Sequence, residues 1–328
     1  MKNTDRRSFL KIAGISIGAG ALYRVAPLLG AGNAGAAVSD ALRTSNGEAL
    51  RPFSFVQLSD THVGFEGPPD PLGTRAFERA VETINALPEA PELILFTGDL
   101  THDTEDAGQH AARLKRFREI AGGLTVKNVR CVPGEHDAAL DGGALFREQL
   151  GPTSYSFDHR GVHFVALDNV SLGKPEVGPA QRAWLEKDLA RFGPSAPIIV
   201  FTHRPLFDLK PEWEWFTDDG DDVMNLLSRF ENVTVLYGHI HRADHRRIGR
   251  ADHHGARSLV FAFPDPASGA EKKPLPFRKE RPFAGLGIRR VTSPGGSGAP
   301  GIDDVELSSA EFAGTNGIQQ MLKKGEFS

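Results

Sequence analysis

Tyr237-Gly238-His239-Ile240-His241 closes an apolar run that begins at Val233. Such a run reads as a buried strand leaving its sheet, and side chains two apart on an extended segment share a face. His239 and His241 are therefore expected to point the same way, as a pair of imidazoles suited to a metal ion. The glycine before them lets the backbone pass close to another group. A lone His-x-His on a surface is ordinary, so the reading turns on whether further ligands arrive from elsewhere in the chain.

They do. Phe53–Leu58 delivers Asp60 and His62, Leu93–Phe96 delivers Asp99, Val129–Val132 delivers Glu135, His136 and Asp137, and Ile198–Phe201 delivers His203. The first run alternates as a strand, and the second is continuously apolar, as in a strand covered on both faces. Phe77, Ala80, Val81, Ile84 and Leu87 predict a helix that Pro88 and Pro91 stop. A second helix is expected over 107–121, a third around Trp184, Leu185, Leu189 and Phe192, and a short one around Val223, Leu226, Leu227 and Phe230. Thr153–Phe157 and Val162–Leu167 read as a hairpin through His159-Arg160-Gly161. Downstream, Arg257–Phe263, Ala284–Val291 and Ile302–Leu307 read as three more strands. The pattern predicts an α/β fold of two sheets packed face to face with helices outside, in one domain over 51–310, and a peripheral tail at 311–328. Ligand sites in α/β sheets collect at the carboxyl ends of strands, where these acids and imidazoles fall.

At 328 residues, 40% hydrophobic and 24% charged, the composition is that of a soluble globular protein. The single cysteine, Cys131, excludes an internal disulfide, and its apolar neighbours suggest a buried, inert thiol. Arg6-Arg7-Ser8-Phe9-Leu10-Lys11 precedes a Gly/Ala-rich stretch and Ala34-Gly35-Ala36. This resembles a bacterial twin-arginine export signal over 1–36, followed by a linker at 37–50. It implies the twin-arginine translocation machinery as a partner and a periplasmic or secreted protein. The glycines and Arg24 within the stretch argue against a stable membrane anchor. Removing residues 1–36 takes five basic side chains and one acid, leaving 33 basic against 41 acidic, a formal charge of −8. No nucleic-acid partner is expected of such a surface.

Taken in order, Asp60-Thr61-His62, Gly98-Asp99, Gly134-Glu135-His136-Asp137, Thr202-His203 and Gly238-His239-Ile240-His241 resemble the motifs of the calcineurin-like metallophosphoesterase superfamily over about 53–241. The resemblance implies a four-layer αββα sandwich, two metal ions (Fe, Mn or Zn), and hydrolysis of small phosphate mono- or diesters by a metal-bridged hydroxide. By position, Asp60, His62 and His241 would hold the first ion and Asp99 would bridge. Glu135, His203 and His239 would hold the second. His136 would stand beside the phosphate, with Asp137 orienting its ring. Such ions, about 3.5–4 Å apart, lower the pKa of a water and neutralise charge on phosphorus. His136 would donate to a phosphoryl oxygen or to the leaving oxygen.

One residue departs from the family pattern, which has Gly-Asn-His-Asp where this chain has Glu135. The carboxylate adds a negative charge, which is expected to favour a harder or more highly charged ion such as iron. It also opens an alternative, a non-catalytic metal-binding accessory protein. A purple-type acid phosphatase would need a tyrosinate ligand, and Tyr155 and Tyr237 place none at the motifs. His102 and Asp103 read as solvated loop residues, as do Lys272, Lys273, Arg278, Lys279 and Arg281. The 207–222 segment, with Trp213, Trp215 and the aspartates Asp218, Asp219, Asp221 and Asp222, would either overhang the cleft or pack its tryptophans on the core while the aspartates favour the next helix's N-terminus. His110, His159, His163, His245, His253 and His254 have no partner pattern.

Overall fold

The computed structural model describes residues 51–295 and 298–307, so the export signal, the linker and the tail lie outside the described residues. Three parallel strands, β1 (Phe53–Leu58), β2 (Leu93–Thr97) and β3 (Val129–Val132), are linked by helices α1 (Arg75–Asn85) and α2 (Ala107–Ala121). A turn of helix, α3 (Glu135–Ala138), and α4 (Ala144–Leu150) lead to a second sheet. Its hairpin of β4 (Tyr155–His159) and β5 (Val162–Ala166) is followed by α5 (Pro179–Leu189), β6 (Pro197–Phe201), α6 (Gly220–Leu227) and β7 (Asn232–Tyr237). The hairpin turn is Arg160-Gly161, both at positive φ, the conformation that suits a two-residue connection.

The layers follow from strand alternation. Phe53, Phe55, Leu93 and Leu95 face Phe164, Ile199, Phe201 and Leu236 of the other sheet, forming one core between the sheets. Val56, Leu58, Ile94 and Phe96 point the opposite way, onto Phe77 of α1 and Phe117 of α2. On the far side, Val165, Val200 and Val235 pack under Leu185 and Leu189 of α5 and Val223 and Leu227 of α6. Two mixed sheets with helices outside are therefore the observed architecture, and helix, sheet, sheet and helix form its four layers.

The downstream strands differ from expectation. Arg257–Phe263 is not a strand, because its backbone groups bond elsewhere: Leu259 N–H donates to Asp60 O and Phe261 O accepts from a histidine ring. The segment instead crosses from one sheet to the other. The second sheet ends in a hairpin the sequence did not suggest, β8 (Asp244–Ile248) and β9 (Ala251–Gly255), in the order β4-β5-β6-β7-β9-β8. The last strands, β10 (Gly287–Ser293) and β11 (Gly301–Glu306), join the first sheet beside β1. Buried Arg289 of β10 ties the sheets together, donating to Asp304, Gln57 and Gly255 O.

Candidate metal centre

The carboxyl ends of β1, β2, β3, β6 and β7 open onto one place, and two tetrads of donors meet there. Asp60, His62, Asp99 and His241 bring one ligand atom each within 4.8 Å of one another, and so do Asp99, Glu135, His203 and His239. Asp99 belongs to both groups. All seven side chains assigned to ions by sequence are thus gathered, in the two sets expected.

The backbone is bent to achieve this. Asp60, His62, Asp99, His239 and His241 all have φ between 41° and 65°, the left-handed region that costs about 1–2 kcal/mol for a residue with a side chain. His239 and His241 therefore do not share the face of an extended strand, as the spacing suggested. β7 ends at Tyr237, the chain coils, and the two rings enter different donor groups. Gly238 is required by proximity: a Cβ there would overlap Ser59 Oγ. At Gly134 a Cβ would overlap the Asp99 carboxylate. Main-chain bonds stitch the loops together: His62 N–H donates to Asp99 O, and His239 N–H donates to the Asp60 carboxylate across the sheets.

Each imidazole is held by the nitrogen it does not present. His203 Nδ1 donates to Thr97 O (2.8 Å), His239 Nε2 to Glu214 O (3.1 Å), and His241 Nδ1 to Phe261 O (2.9 Å). These bonds fix the tautomer and leave a lone pair facing the carboxylates, the arrangement found around metal-bound histidine. His62 points Nε2 inward, 3.4 Å from Asp99, so its Nδ1 donates to His102 Nδ1 at 3.3 Å. Burial, then His136 and His241, holds His62 well below its usual pKa, in the form a cation requires. Burial likewise depresses His239. For His203, burial lowers the pKa but Asp99 and Glu135 carry it well above the usual value, so a bound cation competes with a proton there. Glu135 Oε2 and His203 Nε2 face each other at 2.7 Å, fully buried and without a hydrogen bond. Such a contact between potential ligand atoms fits a divalent cation better than it fits a protein-only network.

His136 stands at the mouth. Its N–H donates to Asp99 Oδ1 (3.0 Å), its Nε2 lies 3.9 Å from Asp99 Oδ2, and its Nδ1 pairs with Asp103 at 2.6 Å. Burial opposes its charge, but Asp99, Asp103 and Glu135 together raise it to about 9. The hydrogen bond from His136 lowers Asp103 to about 2. The expected role of Asp137 is therefore corrected: Asp103 orients this ring. Asp137 instead accepts from Gly134 N, Leu100 N, Thr101 N and Thr101 Oγ1, pinning the Asp99 loop to α3. Burial and neighbouring Asp99 push Asp137 up to about 6, against those donors.

His102 and Asp103 also depart from expectation. His102 stacks on His136 with centroids 4.9 Å apart, and His62, His102 and His136 form a third cluster beside the first donor group. Arg204, unremarked in the sequence, contacts Glu135 Oε1 at 3.2 Å and donates to Glu214 O at 2.7 Å. The 207–222 segment reaches the site and also packs on the core, and Asp221 and Asp222 lie in the first turn of α6, but Asp219 gives that helix no side-chain cap. Trp213 and Trp215 pack with Tyr237 and Ile240, and Asp219 accepts from Val177 N and Gly178 N. Glu214, at φ 61°, aims its carbonyl at the site. Lys272 donates to Trp213 O and so docks its loop on this segment. Neither Tyr155 nor Tyr237 belongs to either candidate ligand group: the Tyr155 hydroxyl donates to Cys131 O and the Tyr237 hydroxyl to Asp244. Of the remaining histidines, His163 bridges Asp158 and Asp188, and His159 pairs with Glu92, both away from the donor groups.

Comparison with known proteins bears on this constellation. The profile of a family described as calcineurin-like phosphoesterase matches residues 53–243. The chain is 29% identical over 224 residues to a Danio rerio protein named serine/threonine-protein phosphatase CPPED1, covering 58% of this chain and 71% of that one. It is 29% identical over 201 residues to an Arcobacter nitrofigilis protein named probable glycerophosphodiester phosphodiesterase GpdQ, covering 57% and 71%. A solved structure of a dimetal phosphatase from Danio rerio has the same fold, with a TM-score of 0.56 at 12% identity over 76% of this chain and 98% of that one.

Proposed function

The chain belongs to the calcineurin-like phosphoesterase family, a family of metal-dependent hydrolases, and from that membership we propose an exported two-ion enzyme that cleaves small phosphate mono- or diesters. The observation that carries the proposal is Asp99, one carboxylate shared by two tetrads of donors, all buried but the half-buried Glu135. Bound there, two divalent cations would acidify a water and neutralise charge building on the phosphoryl group.

The chain's own residues do the rest. Backbone carbonyls of Thr97, Glu214 and Phe261 fix three imidazoles before any ion arrives, so little reorganisation accompanies binding. His136, steadied through Nδ1 by Asp103, directs Nε2 toward the donor groups. It would donate to a phosphoryl oxygen or protonate the leaving oxygen. A cleft of about 590 Å³ runs out from Glu135 and Arg204 past Val170, Leu172 and Phe216, with room for the organic part of an ester. Relatives named as a phosphatase and as a diesterase support both ester classes. The Arg6-Arg7 leader supports export by the twin-arginine route.

The test is hydrolysis of aryl phosphate mono- and diesters by chelator-stripped protein resupplied with Mn, Fe or Zn. Asp99→Asn is expected to abolish turnover and to lower bound metal. Full turnover by Asp99→Asn with an unchanged metal content would overturn the reading, and absence of turnover with every metal would favour the accessory-protein alternative. For export, Arg6→Lys with Arg7→Lys should retain the protein in the cytoplasmic fraction, and unchanged fractionation would count against that route.

A further inference from the structure

The two oxygens of Glu135 have different company. Oε1 lies 3.2 Å from the Arg204 guanidinium and 2.8 Å from His239 Nδ1. Oε2 is buried without a hydrogen bond, 2.7 Å from His203 Nε2. Arg204 is only 8% exposed and cannot carry its charge elsewhere. Its guanidinium donates to Glu214 O, and its main chain is clamped by Asn169, which accepts from Arg204 N and donates to Arg204 O.

A carboxylate stands where the family pattern has a neutral amide, and one residue beyond His203 a buried cation meets it. We propose that Glu135 and Arg204 act as a single unit. The guanidinium occupies Oε1 and cancels the added negative charge, so that Oε2 meets the second cation with about the net charge of an amide ligand. This rests on the two-ion reading above and makes Arg204 a positioning residue. The extra carboxylate then gives no reason for a more highly charged ion, contrary to the expectation from Glu135 alone. The two side chains are also interdependent, because removing one member of a buried pair leaves the other's charge uncompensated. A lysine would supply the charge but not the planar fork that reaches Glu135 and Glu214 O together.

Mn²⁺ titration of the chelator-stripped full chain by calorimetry, with bound metal counted by elemental analysis, tests the unit through a double-mutant cycle. Glu135→Gln, which leaves the guanidinium unopposed beside the second position, should weaken the second Mn²⁺ by on the order of 10–100-fold. Glu135→Gln combined with Arg204→Gln should recover most of that loss, to within about threefold of the parent. Arg204→Gln alone, with three carboxylates and no counter-charge, should raise retention of Fe³⁺ relative to Mn²⁺, whereas Arg204→Lys should change that ratio less. Recovery in the double variant, or the rise in Fe³⁺ retention should Glu135→Gln fail to fold, supports the unit. A double variant as weak as or weaker than Glu135→Gln, or an unchanged Fe³⁺ ratio in folded Arg204→Gln, overturns it while two ions still bind. A parent chain that binds no Mn²⁺ overturns the two-ion reading, and this inference with it.

Discussion

Replacing Asp137 by asparagine separates two roles for a residue that the sequence placed beside His136. Oδ2 accepts from Leu100 N at 3.0 Å and Gly134 N at 2.9 Å. Oδ1 accepts from Thr101 N at 2.8 Å and Thr101 Oγ1 at 2.9 Å. Asparagine fills the same volume and can keep one of these pairs through its carbonyl. With that carbonyl kept on Leu100 N and Gly134 N, its amino group faces Thr101, whose hydroxyl turns to accept while Thr101 N–H is left without a partner. One buried donor left without an acceptor costs about 1–3 kcal/mol, so the variant should lose about that much with no cavity created. Urea unfolding of chelator-treated protein at pH 7, above the wild-type carboxyl's value of about 6, measures this with the parent ionised. A loss below about 1 kcal/mol at unchanged slope would refute the tethering role. A residue that only oriented His136 would leave the urea midpoint alone and alter turnover.

His136 gives a prediction with a sign. Its folded-state pKa is raised from 6.5 to about 9, so the stability it contributes is fully present below pH 6.5 and is lost as pH rises through about 9. Asp103→Asn removes one of the groups that raises it; the gap in melting temperature between parent and variant, without metal, should shrink between pH 6.5 and 9. A constant gap would show that Asp103 does not govern this ring. His102→Ala deprives His62 of its Nδ1 partner and should weaken the first Mn²⁺ by about tenfold or more while sparing the second. Calorimetry giving equal losses at both positions would point to a general collapse of the loops instead.

What could be read from sequence was whatever depends on local pattern. Alternation and apolar runs marked β1, β2, β6 and β7, helical spacing marked α1, and each of five strands visibly ended in an acid or an imidazole. Alternation failed at Arg257–Phe263, whose residues suit a strand but whose backbone partners are the Asp60 and His241 loops, and it gave no hint of the polar β8–β9 hairpin. The exchange of Asp103 for Asp137 has the same origin. Adjacency along the chain suggested that Asp137 serves His136. The turn of α3 sends the two side chains different ways, and the Asp99 loop brings Asp103, 33 residues away, to the ring.

The sequence alone determined which ligand types exist, in what order, and at the ends of which strands, because strand formation and residue chemistry are properties of short segments. It did not determine the partners that set how those ligands behave. The carbonyls of Thr97, Glu214 and Phe261, the left-handed turns at five donors, and the guanidinium beside Glu135 come from segments distant along the chain. Only packing the two sheets face to face brings them within hydrogen-bonding distance. A hydrogen bond or ion pair acts over a few ångströms of space, whatever the separation in sequence.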